Sequence, residues 1–260
     1  MLKGLSLFAN VGIGETYIKE AGVDMVLANE LLPERCDLYK KLHPETDVIQ
    51  GDVTSSEIFE KIIKLAKEKD VDFIMATPPC QGMSSALQQK IERDIGRAKR
   101  QESDQRNYLI IKAIEAIKEI SPKYGLIENV PQMLKTSILF DENKVRIIDY
   151  VVSELSEKYY INYSVLDAAD YGTPQTRKRA IILLSRRDQN EWTFPEKTKK
   201  INLSEAIGHL PSLNPGESSD IPFHYAKSIT ISILNGCPIP QAVNRLLTMK
   251  ILINHAKTTA

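Results

Sequence analysis

Leu5-Ser6-Leu7-Phe8-Ala9-Asn10-Val11-Gly12-Ile13-Gly14 is a short apolar run that stops in a turn carrying two glycines. Leu5 to Ala9 reads as a strand, and Glu15 to Ala21 beyond the turn reads as a helix. The same alternation continues outward from this opening. Met25 to Ala28 is a second strand, with a helix at Pro33 to Leu42; Val48-Ile49 leads to Gly51-Asp52, and Ser56 to Lys69 is helical. Val71 to Ala76 is a clear strand, and Tyr108 to Ile120 places apolar residues at amphipathic helical spacing. Strands at Tyr124 to Ile127, Ile161 to Leu166 and Ala180 to Leu184, with a helix at Val145 to Lys158, complete the pattern. Strands alternating with helices predict an α/β protein with a doubly wound, mostly parallel sheet, which binds ligands at the carboxyl ends of its strands.

The chain has 260 residues, 42% hydrophobic and 26% charged, which excludes disorder and collagen. No apolar run reaches the roughly 20 residues that a membrane span needs, and the expected setting is a reducing cytoplasm without a signal peptide. Cys36, Cys80 and Cys237 form no CxxC pair, so neither a disulfide framework nor a metal site is expected. Lys+Arg and Asp+Glu both number 34, so the total charge names no partner and local distribution has to. After Ser185 the chain turns polar and is punctuated by Pro195, Pro211 and Pro215, with one short helix expected near Leu203 to Leu210.

Four constellations carry chemistry. The turn at Phe8 to Gly14, with Glu30 ending the second strand and Asp52 following the third, either serves structure alone or holds a nucleoside, whose ribose hydroxyls and adenine amino group need acidic acceptors. Thr77-Pro78-Pro79-Cys80-Gln81 puts a cysteine on a rigid exit from a buried strand, where a reactive thiol is favoured over an inert one. Leu126-Ile127-Glu128-Asn129-Val130 ends the neighbouring strand in a carboxylate that can relay a proton near a thiolate. In Gln175-Thr176-Arg177-Lys178-Arg179, strand alternation would send Gln175, Arg177 and Arg179 to one face, to hold a phosphate or a base edge unless the strand is a solvated basic edge.

In this order the motifs resemble those of the cytosine-C5 DNA methyltransferases, over about residues 4 to 185. The resemblance implies a Rossmann-like, S-adenosylmethionine-dependent methyltransferase fold that yields S-adenosylhomocysteine and acts on a cytosine flipped out of double-stranded DNA. It implies that Cys80 adds to C6 of the base, that Glu128 pairs with the N3 edge, and that Arg177 and Arg179 contact the base and its surroundings. Asn129 and Gln175 would brace the site, and Phe8, Gly12, Glu30, Asp52, Val53, Pro79, Leu109 and Asn235 fall at cofactor-contact positions. The stretch from Leu87 to Arg106, with Lys90, Arg93, Arg97, Lys99, Arg100 and Arg106, would be the loop that closes on the DNA phosphates. A monomer is expected, without membrane association, in a bacterial or viral-host cytoplasm near the nucleoid, alongside a cognate restriction endonuclease. The alternatives are a tRNA cytosine-C5 methyltransferase, or a truncated, non-catalytic relic that binds the cofactor or a partner. A NAD-dependent oxidoreductase is the weakest rival, since the turn lacks a full GxGxxG.

The sequence departs from the family pattern in three places. Ser6 stands where the family usually has Asp, and Asn10 and Ile13 replace glycines, which predicts a weaker hold on the cofactor. Only 81 residues follow Arg179, where the family usually places a larger recognition domain. The expected division is therefore a catalytic and cofactor-binding domain at 1–187, a short or remnant target-recognition region at 188–233, and a closing motif with helix at 234–260. Either that motif survives as Leu234-Asn235-Gly236-Cys237-Pro238-Ile239-Pro240, or the pattern ends after Lys227 because the chain is truncated or its reading frame altered.

Overall fold

A computed structural model describes residues 1–79, 108–140 and 143–228. Its strands are β1 (Leu2–Leu7), β2 (Val23–Glu30), β3 (Asp47–Gln50), β4 (Phe73–Ala76), β5 (Tyr124–Asn129), β6 (Ser137–Phe140), β7 (Asn143–Arg146), β8 (Tyr159–Asp167) and β9 (Lys178–Arg186). β6 and β7 form a separate hairpin, and the other seven form one sheet in the order β3-β2-β1-β4-β5-β9-β8. The first five are parallel, while β9 runs antiparallel to both β5 and β8. The doubly wound, mostly parallel sheet expected from the alternation is the one observed. Its chain order reverses between β1 and β4, the switch point at which such sheets open a crevice.

Alternation along the strands, shifted in β2 between Met25 and Leu27 by an irregularity in its pairing with β1, sorts the core into two layers. Leu5, Leu7, Leu27, Ile74 and Ile127 face α2 (Ser56–Glu68), α3 (Leu109–Ile120) and α4 (Ile147–Leu155), and all five are fully buried. Val23, Met25, Phe73 and Met75 line the opposite layer with Ile18 and Trp192. Further along that layer Tyr39 of α1 (Pro33–Leu42) packs with Ala9 and Ala28. Among the described residues no helix is long and apolar enough to cross a membrane.

The segment after the first turn differs from expectation. Ile13–Glu15 is a single 3₁₀ turn, and Thr16 to Gly22 continues as turns rather than as a helix. Its backbone bonds run three residues back, from Ile18 to Glu15, Glu20 to Tyr17 and Gly22 to Lys19. The Thr16 hydroxyl donates to the Ile13 carbonyl, and the Glu15 side chain is drawn under the turn, so the chain winds tighter than an α-helix. Gln175 and Arg177 also lie outside the strand expected to carry them, because β9 starts at Lys178.

The chain falls into two units, the first ending at Ile201 and the second starting at Asn202. The first thus reaches past the Arg187 boundary read from composition. The Trp192 amide donates to the Ser185 hydroxyl at 2.7 Å, and its indole packs against Phe73 and Tyr124 with ring centroids 6.2 Å apart in each pair. In the second unit α5 (Leu203–Ile207) begins in a reciprocal cap between Asn202 and Glu205, and Ser218 pairs with Tyr225. Trp192→Ala is expected to destabilise the sheet unit by about 1–3 kcal/mol in urea unfolding, less than for a fully buried aromatic. A midpoint unchanged by the substitution would return the boundary to Arg187.

Candidate active site

Register sets the site. Leu7 pairs with Asn29 and with Ala76, Glu30 pairs with Gln50, and Ala76 pairs with Ile127, so the carboxyl ends of β1 to β5 lie along one edge. Because β9 is reversed, its first residues reach that same edge, with Ala180 opposite Asn129. Arg179 therefore meets Glu128: its Nε lies 2.8 Å from Oε1 of the carboxylate, and both side chains are about one quarter to one third exposed (25% and 30%). Arg177 is exposed, and its backbone amide donates to Asp167 Oδ1 at 2.9 Å. Gln175 is exposed as well. Of the three long polar side chains, the structure brings Arg179 alone onto Glu128.

Asn129 is buried, and its two amide ends do different work. Nδ2 donates to the Pro78 carbonyl at 2.9 Å, and Oδ1 accepts from the Val130 amide at 2.8 Å. Pro78 has no amide proton, so its carbonyl is the one backbone group it offers, and Asn129 uses it to tie the end of β5 to the turn leaving β4. Pro79 follows, half-buried. Cys80 itself lies outside the described residues, as do Lys90 to Arg106 and Asn235.

At the other end of the edge Glu30 is buried between two elements. Oε2 accepts from the Asn10 amide at 2.8 Å, Oε1 accepts from the Leu32 amide at 3.1 Å, and Arg35 stands 3.6 Å from Oε1. The acid thus fixes the first turn against the start of α1 while each oxygen keeps a lone pair for a further donor. Asp52 is exposed and folds back on its own turn, Oδ1 accepting from the Thr54 amide and hydroxyl, both at 2.8 Å. Val53 is buried in the hydrophobic core, and Leu109 is half-buried at the start of α3. Phe8 has φ 61°, and its carbonyl accepts from the Thr77 hydroxyl at 3.1 Å, a second link between β1 and β4.

Gly12 shows why a side chain is excluded from the turn. Its φ is +80°, and an added Cβ would lie 2.5 Å from the His43 ring and 2.9 Å from Tyr39. His43 Nε2 also bonds the Gly12 carbonyl at 2.8 Å. Beneath this turn lies a pair that motif reading missed. The Ser6 hydroxyl donates to Glu15 Oε1, Glu15 is buried, and its Oε2 has no hydrogen-bond partner among the described residues. One signal was legible beforehand, the serine at a strand end where an acid was expected.

Burial pushes the Glu15 carboxyl above its ordinary 4.5, and the opposing pulls of the Ser6 hydroxyl and His43 are smaller. A raised folded-state pKa means that the native chain holds this proton more tightly than the unfolded chain does. Its contribution to stability is complete below the unfolded value and is lost as pH rises through the folded one. Melting curves from pH 4 upward are expected to show this decline in the wild type and a shallower one in Glu15→Gln. Asn129→Ala leaves the Pro78 carbonyl without its donor and is expected to cost about 1–3 kcal/mol in chemical denaturation.

With this geometry in place, the comparisons assign the chain. Residues 2–232 match the model of the C-5 cytosine-specific DNA methylases, and the chain belongs to that family. It is 42% identical over 229 residues to the Type II methyltransferase M1.HgaI of Avibacterium volantium, covering 88% of this chain and 62% of that protein. It is 31% identical over 207 residues to the Type II methyltransferase M.AquIA of a Picosynechococcus strain, covering 75% and 76%. A solved structure assigned as a DNA modification methyltransferase from an E. coli prophage superposes with TM-score 0.62 at 23% identity, covering 85% of this chain and 58% of that one. The DNMT2 of Spodoptera frugiperda superposes with TM-score 0.54 at 17% identity, covering 93% and 62%; at these identities the likeness concerns the fold. The chain spans about three fifths of the length of M1.HgaI and of M1.HphI from Haemophilus parahaemolyticus.

Proposed function

We propose that this chain carries the cofactor-binding and catalytic part of a restriction-modification cytosine-C5 DNA methyltransferase. The observation that carries the reading is Glu128, held by Arg179 on the edge where Asn129 clamps the Pro78-Pro79 exit. The residues present fit the cofactor at the other end of that edge: Glu30 and Asp52 at the ends of β2 and β3 offer acceptors for ribose and adenine, and an orphaned buried carboxylate oxygen lies under the turn after β1. When bound, S-adenosylmethionine supplies an electrophilic methyl group.

The chain's own residues do the rest. Cys80, one residue beyond the Pro-Pro exit, adds as a thiolate to C6 of a flipped-out cytosine and makes C5 nucleophilic. Glu128 pairs with the N3 edge of the base and steadies the charge that develops there, while Arg179 fixes its orientation. After C5 has gained the methyl group, loss of its proton to a base expels Cys80 and restores the ring. Arg177, exposed beside this edge, and the basic stretch 90 to 106 would meet phosphates. The substrate is double-stranded DNA in a cytoplasmic setting, the chain acts as a monomer beside its cognate endonuclease, and recognition falls to the residues after Ile201.

The test is incubation with methyl-labelled S-adenosylmethionine and either duplex DNA or tRNA. Label is expected in duplex DNA, with Cys80→Ser abolishing it. A duplex containing 5-fluorocytosine should trap the wild type covalently and leave Cys80→Ser free. Label in tRNA alone would overturn the DNA assignment, and a trapped Cys80→Ser protein would remove Cys80 as nucleophile.

A further inference from the structure

The polar pair under the first turn has no duty in the reaction just described. Glu15 is 3% exposed, one carboxylate oxygen accepts from the Ser6 hydroxyl and the other meets no donor among the described residues. A buried carboxylate oxygen with no donor among the described residues is costly as an anion, and a bound cation beside it would offset that cost. Its position limits what that cation is. Ser6 lies on β1 one residue from the carboxyl end, opposite Ala28 of β2 and Met75 of β4, at the switch point of the sheet.

Strand order then assigns the ligand's parts. In the reading above adenine lies at the end of β3 and ribose at the end of β2, while the base to be methylated lies beyond β4 and β5. Moving inward past β3 and β2, the next strand is β1, and the next part of the cofactor is its amino-acid end, whose α-ammonium is a compact cation with three donors. Resting on that cofactor reading, we propose that Glu15 is the anionic partner of the cofactor's α-ammonium group, anchored for the purpose by Ser6. The strand itself offers only the neutral Ser6 at this place, and the carboxylate comes from the turn nine residues on.

Calorimetry on the full chain separates this role from a structural one. The probes are S-adenosylhomocysteine, which carries the α-ammonium, and 5′-methylthioadenosine, which lacks the amino-acid end. Glu15→Gln keeps an acceptor for Ser6 and removes the charge. It is expected to weaken S-adenosylhomocysteine by ~10-fold or more and to leave 5′-methylthioadenosine unchanged. Ser6→Asp combined with Glu15→Gln puts the charge back on the strand and is expected to restore S-adenosylhomocysteine binding. Ser6→Ala releases the anchor and should weaken S-adenosylhomocysteine alone, which keeps the test decisive if Glu15→Gln fails to fold. Equal weakening of both ligands, or unchanged S-adenosylhomocysteine binding in Glu15→Gln, would overturn the proposal. Failure of the unaltered chain to bind either nucleoside would instead overturn the cofactor reading on which the proposal rests.

Discussion

The parallel register of β1 between β2 and β4 is the constraint on which the candidate site depends. Leu7 stands opposite Asn29 on one side and Ala76 on the other. A slip of one residue would exchange the two faces of β1, taking Leu5 and Leu7 out of the helix-covered core layer and putting Gly4 and Ser6 in their place. Two side chains at the strand ends keep this edge level: Thr77 bonds the Phe8 carbonyl, and Asn29 bonds the carbonyls of Ile49 and Gly51. Asn129 adds the third, across to Pro78. Each ties a loop that leaves one strand to the neighbouring strand or its loop, so groups far apart in sequence are kept level.

Along that edge the acids are held by different donors, and the difference matches their places. Glu30 is gripped by two backbone amides, which cannot move without moving the turn and α1. Asp52 is held by its own neighbour Thr54 at an exposed turn, where a ligand can compete for it. Glu128 faces a charged side chain, Arg179, in partly screened surroundings, so its pairing orients the carboxyl without locking it.

Most of this edge was legible in the sequence, because the patterns that define strands and their ends are local. Gly12, Glu30, Asp52, Glu128 and Asn129 each close a recognisable run, and a parallel sheet brings such ends together whatever their separation. What was not legible depended on tertiary contacts. The helix expected at Glu15 to Ala21 has ordinary helical residues, yet a buried bond between Ser6 and Glu15 overrides their propensity. Arg179 and Arg177 look equivalent by alternation, and only the starting point of β9 and its antiparallel pairing select Arg179. The extension of the first unit to Ile201 was hidden because a polar, proline-rich stretch gives no periodic signal, while Trp192 anchors it through ring contacts no spacing rule reports.

Hydrogen exchange with and without S-adenosylhomocysteine tests most directly whether the cofactor lies across the ends of the first three strands. The account predicts slower exchange on binding in three separate segments: residues 8 to 15, 29 to 32 and 50 to 55. Exchange at the amino ends of the same strands, around Leu2, Val23 and Asp47, should not change. Protection confined to the amino ends, or found in only one of the three turns, would contradict a cofactor laid across this edge.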